Sequence, residues 1–533
     1  MRKGALLLLL LIASVGCGDR SQAGPAPSRP PEAPPAPVAD PAGDAPGVLV
    51  IGIDSASWTA IDELGKDRLP NLTRLQAEGL RGSAETLLPT LSPNIWTTIA
   101  TGKPPEQHGI QSFITRQVMA LPIREHSEFP RGPSPMTSNY RKVKAVWNIA
   151  SDHDIACAVF GWWITWPAER VKGLLVSDRV FQRKLPGRTY PESEAPAIDA
   201  VADATTPPLA TPKGVDLVTE DQKLVEQWSR SDRFYADLAK KSLDDPDRKL
   251  VMVYLRGLDP VSHRFWKYWK TDGYRIPESD RAALGDVVPG YYAYVDGLVG
   301  ELCEHRGKRA VLVLSDHGMT SIIGTTALLD PVKLLTTLGE TPSAYEISGD
   351  FLADNSSVRI AGSGDLGALA ARLRAIVARS SKRPLFRAVL EVKGPPAALL
   401  LTPERSFPPG EKLVIGNATA TVAELGSPPP PGAHSGVHEQ SPEGIYLLVG
   451  GSAPAGKRLQ KVSVYHACPT ILTLLGLPLA DDMPGRFTEG WPLAKPRSVP
   501  TYETGEPRVA PGPIDTEYDD DYSKELRQLG YLM

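Results

Sequence analysis

The chain has 533 residues, 41% of them hydrophobic, which is ample for a large core and more than a minimal single domain needs. Its 58 Lys and Arg and 62 Asp and Glu leave a formal net charge of −4, and they are spread along the chain without a basic tract, so a nucleic-acid polymer is not suggested as principal partner. Of the four cysteines, Cys157, Cys303 and Cys468 remain once Cys17 is set aside; an odd number cannot be fully paired, and no disulfide framework is implied.

Residues 1–17 read MRKGALLLLLLIASVGC, with a basic start at Arg2 and Lys3, an apolar run from Ala5 to Ile12 and small residues before Cys17. This pattern is a secretory signal, too short for a membrane span. The ending Ser14-Val15-Gly16-Cys17 resembles the lipobox of bacterial lipoproteins, which implies lipidation of Cys17 and an exported, periplasmic or cell-surface protein. Ser14 departs from the aliphatic residue usual there, and the alternative is cleavage nearby and a soluble secreted form. Residues 18–46 are rich in Pro and Ala and lack the large apolar residues a core needs, so they read as a disordered tether.

The globular part begins at Gly47. GVLVIGIDSAS opens it: Val48 to Ile53 is an apolar run of the kind that forms a strand buried on both faces of a parallel sheet, and Asp54 ends it. RLPNLTRLQAEG follows, with Leu69, Leu72 and Leu75 at helical spacing, Pro70 suited to the first turn and Gly79 to the end. A second helix is expected from about Pro93 to Ala100, with Ser92 at its N-terminus, where Ser commonly caps but where exposed N–H groups also favour an anion. Further on, the pattern predicts a helix at KAVWNIASD, a strand at Ile155–Phe160 and packing anchors at Trp162, Trp163 and Trp166. Residues 181–220 are polar, Pro-rich and without clear periodicity. Strands are predicted at Lys249–Leu255, Ala310–Ser315 and Ile445–Val449, a helix over Leu366–Ala378, a helix through ACPTILTLLG ending at Gly476, and a short C-terminal helix in YSKELRQLGYLM.

Buried strands followed by hard metal-type ligands recur along this path. Asp54 ends the first strand, Asp259 and His263 follow Lys249–Leu255, Asp316 and His317 follow Ala310–Ser315, and His438 stands before Ile445–Val449. Ligands in open α/β sheets gather at the carboxyl ends of the strands. Three aspartates and three histidines at one sheet edge would repel or go unsatisfied without cations, and mixed carboxylate and imidazole ligation suits zinc or manganese. A two-metal site is the expectation. His434 competes with His438, and His108 in EQHGI reads as a structural hydrogen-bonding residue.

Taken in order, GIDSAS with RLPNLTRLQAEG, LSPNIWTTIATGKPPEQHGI, GLDPVSH, LSDHGM, GVHEQSPEGI and ACPTILTLLGLP resemble the alkaline phosphatase superfamily, in its type I phosphodiesterase and nucleotide pyrophosphatase branch and the bacterial predicted phosphohydrolase or phosphomutase group. The resemblance implies an α/β fold, an alkaline-phosphatase-like sandwich with a large, mostly parallel central sheet flanked by helices. The core would comprise residues 47–319 and 431–533, with an inserted cap subdomain at 320–430. It further implies two divalent metals, most simply Zn2+ with Mn2+ the alternative: Asp54, Asp316 and His317 would hold one, Asp259, His263 and His438 the other. Counted back from Thr101-Gly102, the nucleophile aligns with Ser92, with Thr90 the fallback for a small register error. Asn94, Lys103 and Trp163 are candidate substrate contacts.

The implied activity is hydrolysis of a phosphorylated small-molecule, lipid or glycan substrate. A phosphotransferase or phosphomutase on the same scaffold, or a non-catalytic binding lipoprotein, are the alternatives. Two departures shape this reading. Phe113 stands where nucleotide pyrophosphatases carry an Asn, which weakens nucleotide diester specificity, and Ser92-Pro93-Asn94 does not fit the sulfatase C/S-x-P-x-R pattern.

Overall fold

A computed structural model describes residues 45–87, 90–113, 135–210, 219–272, 274, 276–321, 329–348, 358–362, 364–392, 397–404, 407, 410–426, 436–437, 443–486 and 497–504. The signal, Cys17, nearly all of the tether, His434, His438 and the C-terminal YSKELRQLGYLM lie outside the described residues. Among the described residues, no helix is long and apolar enough to cross a membrane.

Nine strands form the central sheet: β1 (Val48–Ile53), β2 (Leu80–Glu85), β3 (Ala156–Phe160), β4 (Gly173–Val176), β5 (Thr189–Tyr190), β6 (Arg248–Leu255), β7 (Ala310–Leu314), β8 (Glu443–Val449) and β9 (Lys457–Ser463). Their order is β9-β2-β8-β7-β1-β6-β3-β4-β5. The run β7-β1-β6-β3-β4 is parallel throughout, whereas β8 is antiparallel to both β7 and β2. The central strands are hydrophobic end to end because helices cover both faces of a parallel sheet. All six residues of β1 are buried. Each large aliphatic side chain in it contributes about 1.5–3 kcal/mol by leaving water.

Register is what matters for the site. β1 pairs with β6 so that Ile53 lies opposite Leu255, and with β7 so that Gly52 lies opposite Leu314. The three strands therefore end together, and Asp54, Asp259 and Asp316 all issue from the same edge. β8 runs the other way, so its first residues start at that edge too. Residues 436–437, just before His438, pair with Thr320–Ser321.

The helices that frame this edge are α1 (Trp58–Arg68), α2 (Pro70–Glu78), α3 (Ser92–Thr101), α4 (Val146–Asp152), α5 (Ala195–Ala204), α6 (Thr219–Leu243), α7 (Leu258–Trp269), α8 (Val287–Glu304) and α9 (Ala467–Leu474). Helix α3 ends at Gly102, whose φ of 68° is the left-handed cap that glycine adopts without strain. Two expectations need correction. The segment 181–220 contains α5, whose only buried positions are Ile198 and Ala202, too sparse a stripe to read as periodic. The helix expected over Leu366–Ala378 stops at Arg374, and Val377–Ala378 instead pair as a strand with Leu413–Val414.

Between β7 and β8 the chain builds a second hydrophobic cluster, including Leu334, Val358, Ile360, Leu373, Leu399 and Leu401, apart from the main core. It carries a four-stranded and a three-stranded antiparallel sheet. The three cysteines are buried free thiols, and burial pushes Cys157 and Cys303 up to about 11 and Cys468 to about 12. They act as small apolar side chains.

Candidate metal centre and active site

Asp54, Asp316 and His317 are wholly buried, and one ligand atom from each lies within 4.8 Å of the others, a grouping that could hold a metal ion. His317 Nε2 is 3.1 Å from Asp316 Oδ2 and 3.5 Å from Asp54 Oδ1. Neither of those carboxylate oxygens accepts a conventional hydrogen bond from a described residue. Buried carboxylate oxygens left so are expensive, and a cation between them is the arrangement that removes the cost. The donor set therefore fits a divalent metal.

The electrostatics of the metal-free cluster make the same point. Burial, then Asp316, then Asp259 raise the Asp54 carboxyl well above the usual carboxylate range. Burial alone would also raise Asp316, but the adjacent His317 outweighs it and holds Asp316 low. For His317, burial opposes the charged ring, yet Asp316 and the other carboxylates prevail and push it up to about 10. Without a cation, the site neutralises itself by keeping protons.

Asp259 and His263 occupy successive turns of α7, both buried, with His263 Nε2 at 3.4 Å from Asp259 Oδ1. Spacing of four residues puts them on one helix face. The turn that delivers α7 is held by Asp232 of α6, which accepts from the backbone N–H groups of Arg256 (3.0 Å) and Gly257 and from the Tyr291 hydroxyl (2.8 Å). Only glycine fits at 257, since a Cβ there would come within 1.8 Å of the Tyr291 oxygen. Residues 436–437 approach α7 as well, which brings the backbone just before His438 to the helix bearing Asp259 and His263.

Ser92 is the first residue of α3, but it does not cap it: Leu91 holds the cap position and makes no side-chain cap bond. The Ser92 hydroxyl is buried and lies 3.3 Å from His317 Nε2. Thr90 is buried too, and its hydroxyl has no hydrogen-bond partner among the described residues. Asn94 sits in the first turn of α3 with its side-chain oxygen buried and unbonded among the described residues. Lys103 is at the other end of α3, about 15 Å along the axis, buried and ion-paired with Asp482. That placement gives Lys103 a structural partner away from the gathered ligands. His108 is buried and neutral, pushed down to about 3 mainly by burial, and it bonds the Thr98 hydroxyl (3.0 Å) and the Ile110 N–H (3.1 Å).

Two residues not singled out in the sequence tie the cluster together. Ser55 has φ of 63°, a left-handed conformation that costs a non-glycine residue roughly 1 kcal/mol or more. In that conformation its hydroxyl donates to Asp259 Oδ1 and lies 3.3 Å from His317 Nδ1, while its N–H points to Asp316 Oδ1 at 3.4 Å. One strained serine thus spans both groups of candidate ligands. Tyr254, near the end of β6, donates its hydroxyl to Asp54 Oδ2 and accepts from Trp163 Nε1 at 2.6 Å. Trp163 accordingly reaches the cluster through Tyr254. The only sequence signal for either residue is its place beside a candidate ligand or at the end of a strand.

Partners that orient a metal ligand usually matter 10–100-fold in metal affinity. Tyr254→Phe should therefore weaken metal binding by roughly tenfold while leaving the ring and the fold in place. Competition against a chelator measures this, and unchanged affinity would show that Tyr254 only packs.

No curated protein matches the chain. Among solved structures, human ectonucleotide pyrophosphatase/phosphodiesterase 5 is 12% identical with a TM-score of 0.45, covering 83% of this chain and 97% of its own. An inactive form of the murine enzyme in complex with AMP is 13% identical with a TM-score of 0.44, at the same coverage. Phosphonoacetate hydrolase from Sinorhizobium meliloti 1021, in complex with phosphonoformate, is 14% identical with a TM-score of 0.46, covering 81% of this chain and 96% of its own. These are distant likenesses. The sequence itself matches the family model described as type I phosphodiesterase / nucleotide pyrophosphatase over residues 48–365, which takes in β1, α3, α7 and the Asp316-His317 pair and more than half of the chain. The chain belongs to the type I phosphodiesterase / nucleotide pyrophosphatase family of phosphoric ester hydrolases.

Proposed function

We propose that this protein is an exported phosphoester hydrolase that uses two divalent cations, zinc or else manganese, and Ser92 as nucleophile. The observation that carries the reading is the meeting of Asp54, Asp316 and His317 at one buried point, with the Ser92 hydroxyl 3.3 Å from His317 Nε2. Asp54, Asp316 and His317 would hold one cation, and Asp259 and His263, with His438, the other. Cations bound there lower the pKa of a hydroxyl beside them and offset negative charge on a phosphoryl group. Ser92 then attacks phosphorus through Oγ, a P–O bond to the leaving group breaks, and the resulting phosphoserine is hydrolysed in a second displacement. The N-terminus of α3 supports this role, because its free N–H groups and positive dipole end favour a phosphoryl anion.

The substrate is a phosphorylated small molecule, lipid or glycan, and residues 320–430 would act as a cap over the site. Metal analysis of purified full-length protein, followed by assays with aryl phosphate mono- and diesters, tests the reading. Bound metal with turnover is expected. Absence of both would overturn it.

We further propose that Cys17 is lipidated and that residues 18–46 tether the catalytic body to a membrane. Cys17→Ser should leave the precursor unprocessed by the lipoprotein peptidase and free the protein from the membrane fraction. If fractionation and intact mass are unchanged, a soluble secreted form is correct.

A further inference from the structure

Beside the metal-ligand cluster, on the far side of Tyr254, lies a cavity of about 460 Å³ between the ends of β3, β4 and β6 and the side of α6. That is within the size range of sites for small organic ligands. Among the described residues, its lining contains neither Ser92 nor any of the candidate metal ligands. Four cationic side chains, Arg179, Arg230, Arg256 and Lys223, face two acidic ones, Asp178 and Glu226. Asp178 is already committed: its carboxylate accepts from the backbone N–H groups of Ile164 (3.1 Å), Thr165 (3.2 Å) and Trp166 (3.0 Å). Arg179 likewise donates to the Met136 carbonyl (3.1 Å) and Arg230 to the Thr205 (2.8 Å) and Ala202 carbonyls, neutral partners that leave the charges in place, so four cations against two carboxylates make the cavity positive.

A further feature of the wall points to a ligand. Trp228 is only 5% exposed, and its indole N–H has no hydrogen-bond partner among the described residues. Buried polar groups are normally satisfied, and this orphan donor on the cavity wall marks a place where an acceptor group of a ligand would complete the bonding. The lining also includes three further aromatic side chains, Phe181, Tyr235 and Tyr254. Arg256 stacks on Trp163 at 3.7 Å and also faces Trp228 at 5.5 Å, which holds its charge in a flat apolar setting.

We propose that this cavity is a second binding site, for a small organic carboxylate with a flat apolar body. The carboxylate meets the arginine-rich wall and the Trp228 N–H, and the body packs on the aromatic side chains. Because Tyr254 lines the cavity and hydrogen-bonds Asp54, a ligand there contacts the residue that orients a candidate metal ligand. Occupancy and metal affinity should then be coupled, and by linkage the coupling is reciprocal. The site itself stands without the hydrolase reading; only the coupling rests on it.

The test uses 2-naphthoate, which has no phosphoester to cleave, titrated by calorimetry and by quenching of Trp fluorescence into the full-length protein, metal-loaded and after chelation. Saturable one-to-one binding is expected, at least tenfold weaker for the neutral amide and at least tenfold weaker in Trp228→Phe, which keeps an aromatic ring but removes the donor. Binding should survive chelation with a shift of a few-fold in Kd. Equal affinity for the amide, or no change in Trp228→Phe, would overturn the proposal, as would complete loss of binding on chelation, which would put the probe at the metal centre. Loss of phosphoester turnover with naphthoate binding intact would instead fault the hydrolase reading alone.

Discussion

Ser92→Ala should cost at least about 10³-fold in kcat while leaving metal content and fold unchanged. The change removes a single hydroxyl from the first turn of α3, where Ser92 makes no capping bond, so helix stability has little to lose. Asp54, Asp316 and His317 keep their places because the first follows the end of β1 and the other two the end of β7, and Ser92 fixes none of them. What goes is the oxygen 3.3 Å from His317 Nε2. Turnover and metal stoichiometry measured on the same preparation check this. Near-normal turnover in Ser92→Ala with loss in Thr90→Ala would move the nucleophile two residues back. Activity in both variants would replace double displacement by direct attack of water.

Removal of a ligand should behave differently. In Asp316→Ala or His263→Ala, metal content and activity should fall together, since each change deletes a ligand from a preformed site. Metal removal by chelation should likewise lower the unfolding midpoint, because the cation stabilises only the folded state. The pH dependence follows from His317. In the metal-free protein its ring is pushed up to about 10, so near neutrality it carries a proton that a metal at Nε2 must displace. Metal affinity therefore rises with pH, about tenfold per unit and about a hundredfold from pH 6 to 8, and is lost on acidification. Asp54, also raised, can only steepen that dependence. Chelator competition across this range measures the slope, and a flat profile would exclude His317 as a ligand.

The core was legible because it rests on local pattern. Val48–Ile53, Lys249–Leu255 and Ala310–Ser315 are apolar runs of strand length, and the structure has strands at Val48–Ile53, Arg248–Leu255 and Ala310–Leu314. The aspartates that follow them were visible for the same reason: a carboxylate within a few residues of the end of a buried strand breaks the apolar pattern. Helix α3, expected from about Pro93 to Ala100, spans Ser92–Thr101, its start marked by a proline whose backbone preference suits a first turn. By contrast, α5 buries only two residues, and nothing in so thin a stripe separates a helix from a polar loop.

Taken alone, then, the sequence determined the class of fold, the strands that carry the candidate ligands and the residue types gathered after them. Tertiary structure decided how those residues meet. That β1, β6 and β7 are adjacent and end in register is a fact of long-range pairing, with partners some 200 residues apart, and no local pattern encodes it. The same holds for Ser55 and Tyr254. A serine after Asp54 and a tyrosine in an apolar strand are unremarkable in sequence; only when distant segments close around them does one span Asp259 and His317 and the other hold Asp54. Lys103 makes the converse point. As a lysine following helix α3 it resembles an anion contact, but ten residues of helix carry it to the far end, where Asp482, distant in sequence, pairs with it.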